Sequence, residues 1–218
     1  MIMMALRPQS CDYAPHLKHN QHLRAVTPLA AHAKQQSRPQ PTLQMALAAV
    51  PAARRMRDRA RDALSDVIGG TSTPLRTLAV TALDRHYRVT AAADVDRVAR
   101  TLFDALAQMN GRLLSARAWL RQGAEEGFAT TPYPRDGHTY IDLGYAIAGP
   151  LIRPTILIHE AFHDLSETHQ DYGGNPARDQ GAAYHRNDTQ TQLVNAYAMS
   201  QFVLHIHLGQ ERILGDTE

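Results

Sequence analysis

The pentapeptide His159-Glu160-Ala161-Phe162-His163 constrains this chain more than any other stretch. Residues four apart lie on one face of an α-helix with Cβ atoms ~5–6 Å apart, so two imidazoles at this spacing can converge on one ion. Glu160, rotated ~100° from His159 on the helical wheel, falls beside such an ion and not on it. The flanks agree with a helix. Leu157, Ile158, Ala161, Phe162 and Leu165 form an apolar face directed away from the two histidines, which anchors the segment by its back. The composition makes an accidental match rare, about 0.02 expected occurrences in a chain of this length.

The ligand chemistry follows. A single cysteine, Cys11, excludes an intramolecular disulfide framework, a multi-cysteine zinc ribbon and an iron–sulfur site. Metal chemistry must therefore come from carboxylates and from the twelve histidines. Zinc takes histidine nitrogen at ~2.0–2.1 Å in tetrahedral sites, and a catalytic site keeps one position for water. A glutamate alongside can take a proton from that water, whose pKa falls towards ~7. We therefore expect one Zn²⁺ on His159, His163 and a third ligand. The candidates are Asp164, Glu167, His169 and Asp171. The first two belong to the helix or its end, near Ser166, whereas His169 and Asp171 sit in the segment that leaves it. The spacing His159-x3-His163-x5-His169 is that of the metzincins, with Ser166 where that group turns on a glycine. His169 is favoured and Asp171 is the alternative. Met199, offered as a Met-turn, reads as core packing inside a continuous helix.

Charge divides the chain. Residues 1–60 carry +7 and residues 61–218 carry −5, within a net +2, and the first glutamate is Glu125. Six prolines fall between Pro8 and Pro51, in a stretch rich in Gln and His. Residues 1–50 are thus expected to be a basic, poorly ordered leader without a secretory signal's apolar core. Such a composition also suits a mitochondrial presequence or the leader of a bacterial protein exported without cleavage. Nucleic acid is not an expected partner of this leader, because lysine is nearly absent from it and Tyr13 is its only aromatic residue that could stack on bases. No apolar run approaches the ~18–20 residues of a membrane span.

Periodicity supplies the elements. Residues 51–71 read as a basic helix or linker, from Pro51 to Gly69-Gly70. A helix follows from Pro74 to about Tyr87, then a longer one from about Asp94 to Gly123, with a weak point at Asn110-Gly111. Tyr140-Ile141-Asp142-Leu143 alternates as a short strand. The metal-binding helix starts at Pro154, a Gly-rich loop covers 170–187, and a last helix is capped by Asn187-Asp188. The fold expected for 72–218 is mostly α with a minor β component.

The stretch from about 139 to 204 resembles the deuterolysin or aspzincin family of zinc endopeptidases, which includes the lysine-specific metallo-endopeptidases. That family has a short strand before the metal helix, here "TYIDLGYAI" before "TILIHEAFH". It then has Gly-Thr-x-Asp-x-x-Tyr-Gly, here Glu167-Thr168-His169-Gln170-Asp171-Tyr172-Gly173. A later helix carries Asn195-Ala196 with Phe202 at the family's offset, and Tyr197 and Met199 replace its usual Asp and Tyr. The resemblance implies a zincin-like metallopeptidase domain with a catalytic tyrosine. If Tyr172 is that tyrosine, His169 stands at the Asp position. If Asp171 is the ligand, the tyrosine has shifted.

The function expected is hydrolysis of peptide bonds in a protein or peptide substrate by a metal-activated water. Glu160 would be the base and Tyr172 would stabilise the oxyanion, with Tyr184 or His185 as stand-ins. Asp142 reads as a strand-exposed carboxylate that could line the groove. His86, His138, His205 and His207 read as surface or core polar residues without a metal-ligand partner. The leader fits a translocated bacterial effector or toxin, secreted without a classical signal, and otherwise a cytoplasmic protein. The alternative is a non-catalytic zincin-like fold, or a basic-tailed binding module with an accidental HExxH.

Overall fold

A computed structural model describes residues 43–125, 127–173 and 184–211. Most of the expected leader, with Cys11 and Tyr13, therefore lies outside the described residues, as does the middle of the Gly-rich loop. The described part is mostly helical, with a three-stranded sheet. None of its helices is long and apolar enough to cross a membrane.

The largest departure from expectation is at the start. The first helix, α1, runs from Leu43 to Ile68, so the last eight residues assigned to the leader are helical. It is also no surface linker. Ala46, Ala49, Ala53, Met56, Ala60, Ala63, Leu64 and Val67 recur at steps of three, four and one and are all buried. Alanines along this stripe let neighbouring helices approach closely, and α1 packs against five others. The arginines that suggested a surface position mostly occupy the opposite side of the same helix, Arg57 being the buried exception. Pro51 stands inside α1 on its exposed side, where water can reach the carbonyl that loses its amide partner.

Helix α2 (Pro74–Tyr87) has the expected bounds. Thr73 caps it by accepting from the Arg76 amide at 3.0 Å, and Pro74 takes the first turn. Helix α3 (Ala92–Leu114) passes through Asn110-Gly111 but stops short of Gly123. At its end the Ser115 hydroxyl donates to the Gly111 carbonyl at 2.7 Å, a local bond that competes with further helix. A single turn, α4 (Ala116–Trp119), leads into strand β1 (Leu120–Gln122), so Leu120 is core from a strand and not from a long helix.

Strands β2 (Ala129–Thr130) and β3 (Thr139–Ile141) complete the sheet in the order β1-β3-β2, with β1 parallel and β2 antiparallel to β3. Asp142, expected on an exposed strand, is fully buried at the end of β3. It accepts from the Thr130 hydroxyl at 2.7 Å and from the Glu125 amide at 3.2 Å, so it is a strut between loop and sheet. A Cβ at Gly123 would come within 2.1 Å of Asp142 Oδ1, which is why the chain leaving β1 needs glycine there.

Helix α5 (Ile152–His163) carries the HExxH segment with Leu157, Ile158, Ala161 and Phe162 buried against α1 and the last helix. The expected last helix is two. Asp188 caps α6 (Thr189–Leu193) by accepting from the Thr191 amide at 2.8 Å, and Asn195 restarts the chain as α7 (Ala196–Leu208) by accepting from the Tyr197 amide at 3.1 Å. Met199 is fully buried in α7, as core packing requires.

Candidate metal centre

Helix α5 puts His159 and His163 on one face, with their Nε2 atoms 3.1 Å apart. The third group at this point is Asp171. Its Oδ1 lies 3.2 Å from His159 Nε2 and 3.3 Å from His163 Nε2. These three residues form a group whose ligand atoms can meet on one cation. The size of the triangle tests which cation. Two ligands bound tetrahedrally at ~2.0–2.1 Å stand roughly 3.3–3.4 Å apart, and all three edges here lie close to that. The donor set, two imidazoles and a carboxylate, suits Zn²⁺ with a fourth position left for water.

His169 does not join this group. Its ring stacks on Phe162, with centroids 3.9 Å apart and planes 9° from parallel, and its Nδ1 donates to the Phe162 carbonyl at 2.7 Å. Burial lowers its pKa despite that bond. Its part in the centre is played by its backbone, whose carbonyl accepts from His163 Nδ1 at 2.9 Å. That bond fixes the His163 ring and turns Nε2 towards the centre.

The physical reason for the exchange lies in how the chain leaves the helix. Helix α5 ends at His163, before the expected stop near Ser166. Asp164, at the cap, is tied to Arg112 of α3, and the His169 amide then donates to the Ser166 carbonyl at 2.9 Å to close a tight turn. Gln170 is next pinned to the break between α6 and α7. Its amide donates to the Val194 carbonyl at 3.0 Å, and its carbonyl accepts from the Ala196 amide at 3.1 Å. Asn195, fully buried, adds a bond from Nδ2 to the Tyr172 carbonyl at 2.9 Å. Asp171 is held between these two anchors, with its carboxylate on the imidazole pair.

In the metal-free protein Asp171 and His163 stabilise one another's charged forms. Burial pushes the Asp171 carboxyl up, but the hydrogen bonds and charge of His159 and His163 outweigh it and hold the group well below the usual carboxylate range. For His163, burial opposes the charged form, and Asp171 and Glu160 overcome it, so its pKa is raised.

A cavity of about 300 Å³ opens beside this centre, lined on one side by Glu160, His163, His169 and Asp171 and on the other by residues 129–133 and Arg135. Glu160 is 5 % exposed. Its Oε2 accepts from the Thr131 hydroxyl at 2.8 Å, and Thr131 shares a 2.6 Å bond with the hydroxyl of buried Thr139. Since Thr131 spends its proton on Glu160, Thr139 is the donor to Thr131.

The expected tyrosine is elsewhere. Tyr172 is not among the residues lining the cavity. Its side chain is exposed, and its carbonyl is held by Asn187 and Asn195. Tyr133 lines the cavity, and the Tyr197 ring packs 4.6 Å from that of His159. Tyr184 is buried in a separate cluster with its neighbour His185 beside it, so neither replaces Tyr172. In that cluster the Tyr184 hydroxyl meets His86 Nδ1 at 3.1 Å, and His86 Nε2 meets His205 Nδ1 at 3.2 Å.

Thr131, Arg135 and the anchoring role of Asn195 escape sequence reasoning. Asn195 left one signal, a good N-cap residue in the middle of an apparent helix. Thr131 and Arg135 sit in a loop without periodicity and left none. Comparison of the chain with protein-family models, characterised proteins and solved structures returns no significant match.

Proposed function

We propose that this chain is a zinc-dependent peptidase with a zincin-like catalytic arrangement. The observation that carries the reading is the triangle of His159, His163 and Asp171, sized for a tetrahedral ion, with Glu160 in the same cavity. When bound, zinc would supply Lewis-acid polarisation of the scissile carbonyl and acidify the attacking water. The remaining work belongs to the chain. Thr131 holds the Glu160 carboxylate by one oxygen, which leaves the other free to take a proton from the attacking water. Glu160 then returns that proton to the leaving amine nitrogen. Strand β2, an edge strand of the sheet, lines the cavity, where an extended substrate backbone can lie along it.

The test combines metal analysis with cleavage of a proteome-derived peptide pool. Purified protein should carry about one zinc per chain. Glu160→Gln should keep that zinc and lose about 10²–10⁴-fold in turnover, because an amide cannot accept the proton. Full zinc content without cleavage of any peptide would make the chain a non-catalytic zinc protein.

A further inference from the structure

Arg135 lies on the loop between β2 and β3 and lines the same cavity as Glu160, His163 and Asp171. Its side chain is 15 % exposed, a depth at which a guanidinium normally has its charge matched. The carboxylates that line the cavity do not pair with it: Asp171 lies on the imidazole pair and Glu160 accepts from Thr131. Among the described residues one carboxylate comes within 4 Å of Arg135. This is Glu167, whose Oε1 is 3.8 Å from Nε, beyond hydrogen-bond range, and which is half exposed. Arg135 Nη2 donates to the Ser166 carbonyl, a neutral acceptor that uses a small part of a guanidinium's five N–H donors. The cavity thus contains a cation with no carboxylate in hydrogen-bond range, whose fork geometry matches a carboxylate. At about 300 Å³ it has room for a short stretch of peptide.

We propose that Arg135 is the specificity-determining residue of this cavity and selects substrates that present a carboxylate beside the scissile bond. The carboxylate is either an acidic side chain or a free C-terminus. A lysine at the same subsite meets like charge and is excluded. This inference rests on the peptidase reading for its meaning, but its test does not require turnover.

The test uses the full-length, zinc-loaded Glu160→Gln protein, so that peptides bind without being cut. Four probes are titrated by NMR: acetyl-Ala-Glu-Ala-amide, its Gln and Lys counterparts, and the Gln peptide as a free acid. We expect the Glu amide, the free acid, or both to bind about tenfold or more tightly than the Gln amide, and the Lys amide to bind weakest. Whichever binds tightly identifies the source of the carboxylate. In the Arg135→Gln background the preference should vanish while zinc content is retained, and Arg135→Lys should keep part of it. Equal binding of all four probes overturns the proposal, as does a preference that survives Arg135→Gln. Loss of zinc in both Arg135→Gln and Arg135→Lys also overturns it, because Arg135 would then serve to hold the Ser166 turn. Failure of the wild type to cleave any peptide removes the peptidase reading and leaves this binding result to be read by itself.

Discussion

Thr131 and Asp171 each show how one side chain divides chemistry from architecture. The Thr131 hydroxyl is the donor on the Glu160 carboxylate, and hydrogen bonds to charged groups contribute about 1.5–3 kcal/mol. Thr131→Val keeps the shape and removes the donor. Turnover should fall about tenfold or more with zinc content unchanged, measured as kcat against bound metal. Unaltered kcat would show that Glu160 needs no such support. Asp171 and His169 make a sharper contrast. If the proposed zinc centre holds, Asp171→Ala removes one of its three ligands and should weaken zinc by orders of magnitude. His169→Ala keeps the backbone carbonyl that orients His163 and should cost no more than about ten- to a hundredfold, the range for outer groups around a metal. A competitive zinc titration ranks the two, and the reverse order would return the site to His169.

At the scale of elements, the centre is built where four pieces of chain meet: α5, the turn after it, the α6–α7 break and the β2–β3 loop. Only α5 has a period that can be read directly. The break at Val194-Asn195 is hidden because TQTQLVNAYAMSQF keeps helical composition across it. What interrupts the helix there is the bridge to Gln170, a partner 25 residues away in sequence. The opposite error occurs at α1, where prolines and arginines mask a core helix. This yields a test of boundaries. A chain starting at Pro39 retains all of α1, whereas one starting at Pro51 lacks buried Ala46 and Ala49. The shorter chain should melt roughly 5–10 °C lower, as expected for the loss of a few buried apolar side chains from a protein of this size. Equal melting temperatures in thermal unfolding would show that the first two turns of α1 do not stabilise the core.

For the molecule as a whole, the cluster of His86, His205 and Tyr184 joins α2 to α7 in the interior. Burial first, and then the neighbouring His205, press the His86 pKa well below its ordinary value of 6.5, and burial lowers His205 as well. The unfolded chain takes up these protons near pH 6.5 and the folded chain does not. Stability from this cluster is therefore complete above about pH 6.5 and is lost as the pH falls below it. His163 acts in the opposite sense in the metal-free protein, since its pKa is raised. A comparison of slopes removes that contribution. Between about pH 7 and 5 the melting temperature of His86→Gln should fall less steeply than that of the wild type. Equal slopes would mean that His86 does not titrate on unfolding.

The chain by itself determines the helix that carries His159 and His163, the side on which it is buried, and the position of Glu160 between the ligands. All three follow from a 3.6-residue period within twelve consecutive residues. It also determines α2, because Thr73 and Pro74 are local signals. The choice between Asp171 and His169 was open in the sequence, since both lie within reach of the helix end. Tertiary contacts place Asp171, and not the His169 ring, beside the imidazole pair: Asp164 pairs with Arg112, Gln170 docks on the α6–α7 break, and the His169 ring stacks on Phe162. Tyr172 left the cavity for the same reason, its carbonyl being held by Asn187 and Asn195. Local periodicity speaks only for residues whose partners are within a few turns. A third carboxylate brought from a loop to the imidazole pair, a carboxylate oriented by Thr131 and a cation placed by Arg135 depend on segments 25 or more residues apart, which only the packed chain brings together.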